Sequence, residues 1–137
     1  FLGNDIFIAQ ASLAQDQIKG VDIWGGGVVQ QRNGPLFCHF SYGFDHYYQC
    51  SLELWGNIGK LTTNRIFTAP VGFNPKLIIE TQNVVEEHSL SADDQFKNML
   101  EHFYSLITGG KSVLMEYKQN VQQASLIHEF KQLAERY

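Results

Sequence analysis

Five histidines, at positions 39, 46, 88, 102 and 128, are the side chains best suited to proton transfer or metal ligation, yet their spacing serves neither. No His-x-x-x-His or Cys-x-x-Cys arrangement occurs to aim two ligands at one ion. His128 falls in an apolar stripe of its segment, the setting of a structural histidine. Glu86 and Glu87 are neighbours on a predicted strand, so their carboxylates point to opposite faces and cannot work as a pair. A Gly-x-Ser-x-Gly elbow is also missing. Gly25-Gly26-Gly27 lacks the spaced third glycine and following helix of a dinucleotide loop. In Gly109-Gly110-Lys111-Ser112 the position of a phosphate loop's opening glycine is held by Ser105.

What remains is binding. Tyr42, Phe44 and Tyr47 flank a turn at 43–46, and Arg65 and Thr68 leave a later strand. Aromatic rings with fixed polar groups suit a sugar, which offers hydroxyls and apolar C–H faces. Arg65 suits a phosphate by its charge. For each ring, ordinary sheet packing is the competing role. A second set, Gln49, Ser51, Glu53 and Trp55 with neighbours His39 and Ser41, is too polar for a core yet carries aromatics. That composition fits a subunit interface, with plain solvent exposure as the alternative.

The elements that must hold these residues are mostly strands. Residues 38–70 read as three antiparallel strands, with Phe37, His39 and Ser41 alternating against Cys38, Phe40 and Tyr42, and Leu52 and Leu54 against Ser51 and Glu53. Turn residues at 43–46 and 56–59 separate them. Upstream, strands are expected over 5–14 and 21–31, and Asn33-Gly34 is the signature of a two-residue type I′ hairpin. Pairing Arg32 with Pro35 sets Gly25 and Gly27 opposite Tyr42 and Phe40, where missing side chains give the rings room. Downstream, strands at 76–82 and 84–90 precede a helix with Ser91 as N-cap, Asp94 at the capping-box position and Gly109-Gly110 as its stop. Its Phe96, Met99, Leu100, Phe103 and Ile107 share one face.

A last helix, over 116–136, carries two apolar stripes on roughly opposite sides. One is Tyr117, Val121, Ala124, Ile127 and Ala134; the other is Leu126, Phe130, Leu133 and Tyr137. Such a helix is covered twice. The sheet can take one stripe, and the first helix, a missing domain or a second subunit the other.

Ser41-Tyr42-Gly43-Phe44-Asp45, Leu52-Glu53-Leu54-Trp55-Gly56, Gly59, and Asn64 to Pro70 (Asn-Arg-Ile-Phe-Thr-Ala-Pro) resemble the C-terminal domain of the Gfo/Idh/MocA oxidoreductases. The likeness is to their nucleotide-sugar 3-ketoreductase branch and covers most of the chain, from about Asp5 to the last helix. The resemblance implies that a Rossmann domain holding NAD or NADP precedes this one in the parent protein, with a Glu-Lys-Pro motif supplying the catalytic lysine and a Tyr or His just upstream of Phe1. None of these is present, so this chain is expected to bind no cofactor and to have no catalytic residue of its own. The resemblance further implies sugar contact at Tyr42 or Phe44 and a homodimer built on the open sheet face.

Composition bounds the rest. At 137 residues, 44% hydrophobic and 18% charged, the chain is expected to be one globular domain with an adequate core. A net charge of −4 without a basic cluster excludes a nucleic-acid partner. No apolar run approaches the ~20 residues that span a bilayer, and a signal peptide is lacking, so a cytoplasmic home is expected. There Cys38 and Cys50 read as buried thiols, although one hairpin register would let them pair. The expected fold is α+β: a mostly antiparallel, open-faced sheet of six or seven strands with two helices on one face. Two functions fit it: the substrate-recognition and oligomerisation domain of a sugar or nucleotide-sugar oxidoreductase, or a stand-alone sheet-and-helix binding domain for a small molecule.

Overall fold

A computed structural model of the chain describes residues 2–109 and 112–134. Seven antiparallel strands and two helices make an α+β fold: β1 (Ile6–Gln15), β2 (Asp22–Gln31), β3 (Phe37–Gly43), β4 (Ser51–Trp55), β5 (Gly59–Asn64), β6 (Lys76–Thr81), β7 (Val85–Ser89), α1 (Gln95–Ile107) and α2 (Leu114–Ala134). The strands lie in two sheets, β1-β2-β3 and β4-β5-β6-β7, where the sequence suggested one. Two compact units hold them: residues up to His46 together with those from Val113 onward, and Tyr47–Ser112.

The first unit is built on its glycines. Asn33 and Gly34 sit at the β2–β3 hairpin, closed by the Gln31 amide donating to the Leu36 carbonyl at 3.0 Å. Pairing then runs Gly25 with Tyr42 and Gly27 with Phe40, as the turn chemistry predicts. Opposed residues share a face. Ile8, Val29 and Cys38 therefore lie with Ala11, Gly27 and Phe40, and with Leu13, Gly25 and Tyr42, on one side of the sheet. A register shift between Ile8 and Gln10 makes this possible, because the unpaired Ala9 lets Ile8 and Ala11 point the same way.

Against that face lies α2. Phe130 reaches the rings of Phe40, 5.6 Å between centroids, and Tyr42, 6.4 Å. Phe130 and Ile8 are the buried hydrophobic residues among those described. Polar contacts fix the helix: the Ile8 amide donates to Glu129 Oε2 at 3.2 Å, and Lys131 Nζ lies 3.7 Å from Asp22. Because β1 is an edge strand, Glu129 also satisfies an amide that would otherwise be free to pair with another chain. The stripe that packs is thus that of Leu126, Phe130 and Leu133, while Tyr117, Val121 and Ile127 are exposed. His128 is exposed too: it lies in the apolar stripe that α2 leaves uncovered, so it is not the packed structural histidine the sequence suggested. The end of the expected helix, at Arg136 and Tyr137, lies outside the described residues.

In the second unit the ladders β4-β5, β5-β6 and β6-β7 put Leu52, Leu54, Leu61, Leu77 and Ile79 on one face. Ser51, Glu53, Trp55, Lys60, Thr62, Glu80 and Glu87 share the other. Strand β5 stops at Asn64 because Arg65 takes a left-handed backbone, φ 53°. Helix α1 is capped by Asp94, which accepts from the Lys97 amide at 3.0 Å, and not by Ser91. Asp93 reinforces that start by accepting from Asn98 Nδ2 at 2.8 Å. Gly109 follows the helix with φ 78°, whereas Gly110, the second glycine of the expected stop, lies outside the described residues.

Candidate functional site

The expected hairpin between residues 38–42 and 47–54 does not form. Strand β3 ends at Gly43, β4 begins only at Ser51, and residues 47–50 belong to no strand. Local chemistry explains this. The His46 ring folds over Gly43, so close that a Cβ there would sit 2.6 Å from His46 Cδ2. Tyr48 is drawn elsewhere, its hydroxyl hydrogen-bonded to that of Thr68 and its ring beneath the Arg65 guanidinium at 5.2 Å. The Cys50 carbonyl accepts from the Arg65 amide. Cys38 and Cys50 are accordingly both free, on different units.

The predicted ligand residues fall into two groups. Tyr42 and Phe44 belong to the first unit; Tyr47, Arg65 and Thr68 belong to the second. Tyr42 closes β3 above Gly25, and its hydroxyl pKa is raised, first by burial and then by the negative charge of Asp22. It therefore stays a neutral hydrogen-bonding group over a wide pH range. Phe44 and Tyr47 present nearly whole rings, 85% and 94% exposed, so neither is taken up by sheet packing.

Arg65 anchors a cluster that sequence spacing only half revealed. Tyr48 and Phe73 flank its guanidinium at 5.2 and 5.6 Å, and Thr68 holds Tyr48. Neither Tyr48 nor Phe73 was singled out. They reach Arg65 through turns, and no period in the sequence marks such an approach.

The interface set divides similarly. His39 and Ser41 lie on the three-stranded sheet, opposite Val28 and Gly26, on the face away from α2. Ser51, Glu53 and Trp55 share the charged face of the four-stranded sheet, and Gln49 precedes the strand, exposed. Trp55 is 83% exposed, with its indole N–H donating to Glu53. Lys60–Glu80 at 2.9 Å and Lys76–Glu87 at 2.6 Å continue the charged rows.

The glycine triplet does not form a dinucleotide loop. Gly25, Gly26 and Gly27 sit inside β2, and the space beside them is taken by Tyr42, the Phe40 carbonyl and the Gln10 carbonyl. A phosphate cannot approach that backbone as it does in a glycine-rich loop. Among the described residues no three His, Cys, Asp or Glu side chains cluster to hold a metal, and no helix is long and apolar enough to cross a membrane.

No family model matches the chain. Individual proteins do. A dTDP-3,4-didehydro-2,6-dideoxy-alpha-D-glucose 3-reductase of Saccharopolyspora spinosa is 36% identical over 113 residues, covering 82% of this chain and 34% of the relative. The enzyme of the same name from Actinomadura kijaniata is 30% identical over 127 residues, 93% of this chain and 38% of the relative. Among solved structures, a 3-ketoreductase of Actinomadura kijaniata in complex with TDP-benzene and NADP superposes with TM-score 0.89 at 29% identity, over 96% of this chain and 41% of that one. The chain thus spans between a third and two fifths of the length of the curated relatives it matches. By sequence and by fold, it is homologous to part of the nucleotide-sugar 3-ketoreductases.

Proposed function

We propose that this chain is the C-terminal, substrate-recognition and oligomerisation domain of a cytoplasmic, NADP-dependent nucleotide-sugar 3-ketoreductase of the Gfo/Idh/MocA family. The observation that carries the reading is the match over 96% of the chain to a 3-ketoreductase solved with NADP and TDP-benzene. In this reading the nicotinamide cofactor is held by a Rossmann domain of the full-length reductase, a reading supported by the chain's spanning only 34–38% of its curated relatives. That cofactor supplies the hydride. Taken unit by unit, the candidates to contact the nucleotide sugar are the Tyr42 hydroxyl and the exposed Phe44 ring on the first unit, and Tyr47, Arg65 and Thr68 on the second.

Much apolar surface is left uncovered, which fits a domain that works within something larger. Ile127 and Val121 on α2 are 51% and 67% exposed, and Phe96, Leu100 and Phe103 on α1 are 59–65% exposed. The first set suits the Rossmann domain. Of the interface set, Gln49, Ser51, Glu53 and Trp55 on the second unit suit a second copy, because the rows beside them carry both charge signs and can complement themselves; His39 is a separate candidate on the first unit. Both free thiols fit a reducing cytoplasm.

A chimera tests the reading. This chain is joined to the rest of the Saccharopolyspora spinosa reductase in place of the matching segment, and NADPH oxidation with a dTDP-linked 3-ketosugar is followed. Turnover by the chimera, with no NADPH binding or turnover by this chain alone, is expected. Saturable NADPH binding to this chain by itself would overturn the assignment and favour a self-sufficient binding domain. A chimera that is strictly monomeric at high concentration would remove the oligomerisation role.

A further inference from the structure

Five described cations, Arg32, Lys60, Lys76, Lys97 and Lys131, lie 2.6 to 3.8 Å from a carboxylate. Lys19, Lys118 and Arg65 have no carboxylate partner among the described residues, but the two lysines are exposed, whereas Arg65 is half-buried and its guanidinium has no hydrogen-bond acceptor. Rings of Tyr48 and Phe73 flank it at 5.2 and 5.6 Å, so its contacts are with aromatic groups and its five N–H donors remain unused. No buried side-chain nitrogen or oxygen among the described residues lacks a partner, so these donors face solvent and are open to an incoming anion.

Arg65 lines a cavity of about 280 Å³ within the second unit, together with Thr63, Asn64, Phe73, Ser91 and Gln95. Its polar lining combines one cation, Arg65, and one carboxylate, Asp93, with neutral amide and hydroxyl groups. Both Asp93 oxygens accept hydrogen bonds at the start of α1, from the Asp94 amide and from Asn98 Nδ2, each at 2.8 Å, but its charge remains and an anion held by Arg65 must tolerate it. The volume is too small for a whole nucleotide sugar and suits a compact group.

We propose that this cavity is an anion subsite that takes a phosphoryl group, with Arg65 as charged donor and Asn64, Ser91 and Gln95 as neutral donors beside it. Planar guanidinium and tetrahedral phosphate pair through two parallel N–H···O bonds, which a point charge cannot reproduce. The subsite stands on the geometry of the second unit. It rests on the function above only for where the phosphate comes from, a nucleotide diphosphate or free phosphate.

The test is an NMR titration of the 137-residue chain with inorganic pyrophosphate and, separately, with TDP, following the Arg65 Nε–H and the Ser91 and Gln95 amides. Saturable shifts at these groups are expected, with Arg32 unmoved. Arg65→Gln is expected to weaken binding about tenfold or more, the loss of a charge-assisted bidentate contact. Because Arg65 also ties Tyr48 to Phe73, the unsubstituted chain carries the decision, and Ser91→Ala supplies a variant outside that tie with a smaller loss. Tighter binding of TDP assigns the subsite to a nucleotide, and equal affinities assign it to phosphate alone. No saturable shift at Arg65 with either ligand, or equal shifts at Arg32, Lys60 and Lys76, overturns the proposal. Binding here without turnover by the chimera would keep the subsite and sink the proposed function; turnover without binding would do the reverse.

Discussion

The hydroxyl of Tyr42 stands 2.7 Å, and its Cζ 2.8 Å, from the point that a Cβ on Gly25 would occupy across the β2–β3 ladder. Two residues on, a Cβ on Gly27 would meet the backbone oxygen of Gln10 at 2.3 Å. These clashes differ in kind. A ring can tilt, whereas a carbonyl in the β1–β2 ladder can move only with its strand. Overpacking costs about 1–3 kcal/mol, so Gly25→Ala is expected near the low end and Gly27→Ala near the high end. The two tryptophans make this measurable, since Trp24 lies in the first unit and Trp55 in the second. Urea unfolding read from Trp24 in a Trp55→Phe background reports the first unit. Equal midpoints for the two variants would refute the packing described.

Phe130 and Ile127 test which stripe of α2 is covered. Phe130 is 7% exposed between Phe40 and Tyr42, and its truncation to Ala is expected to cost about 3 kcal/mol, the lower end for a core aromatic. Ile127 is 51% exposed, and Ile127→Ala is expected to stay within about 0.5 kcal/mol in this chain. If the proposed Rossmann domain covers the second stripe, the same Ile127→Ala substitution is expected to cost more within the chimera. An Ile127→Ala loss as large in the isolated chain as that of Phe130→Ala would show the stripe already covered.

How far the sequence discloses this arrangement depends on the length scale of the contact. The pairing of Gly25 with Tyr42 and of Gly27 with Phe40 was legible because an Asn-Gly turn and a period of two fix register together. The strand-rich α+β content and the homology to 3-ketoreductases were legible too. Two acceptable caps three residues apart hid the start of α1, where Asp94 won over Ser91. The break at residues 47–50 was hidden because its cause is the capture of Tyr48 by Arg65 and Thr68, which come 17 and 20 residues later and are brought near by a chain return. Of the site, single residues such as Arg65 were readable by their chemistry. Phe73 was not, since a phenylalanine in a turn carries no mark of what it will touch.

Alkaline solutions are expected to weaken both units through different groups. Burial first, and the charge of Asp22 second, raise the Tyr42 hydroxyl above its ordinary 10.0. In Lys60, the hydrogen bond and charge of Glu80 come first, then the charge of Glu53, and they raise the ammonium above 10.5. Both folded pKa values are raised, so each group's favourable contribution is fully present below the unfolded value and is lost as pH climbs through the folded one. Tyr42→Phe is expected to flatten the loss above pH 10.0 read from Trp24, and Lys60→Met the loss above pH 10.5 read from Trp55. An unchanged alkaline slope in either variant would show that its group does not govern it.

The left-handed backbone of Arg65 makes a further demand on the second unit. At φ 53° a side-chain-bearing residue carries a penalty of about 1–2 kcal/mol that glycine escapes, whereas glycine's extra freedom in the unfolded chain costs about 0.5–1 kcal/mol. Arg65→Ala and Arg65→Gly lose the same contacts with Tyr48 and Phe73, so comparing the two isolates the backbone. Glycine is expected to be the more stable by about 0.5–1 kcal/mol, from the difference of those two effects, read from Trp55 in a Trp24→Phe background. The hydrogen bonds from the Arg65 amide to Cys50 and from the Thr68 amide back to Arg65 hold that conformation in either variant. If alanine equals glycine, the residue does not hold φ 53° in solution. The guanidinium would then lose the backbone turn that sets it between its two rings, and the anion subsite would lose its scaffold.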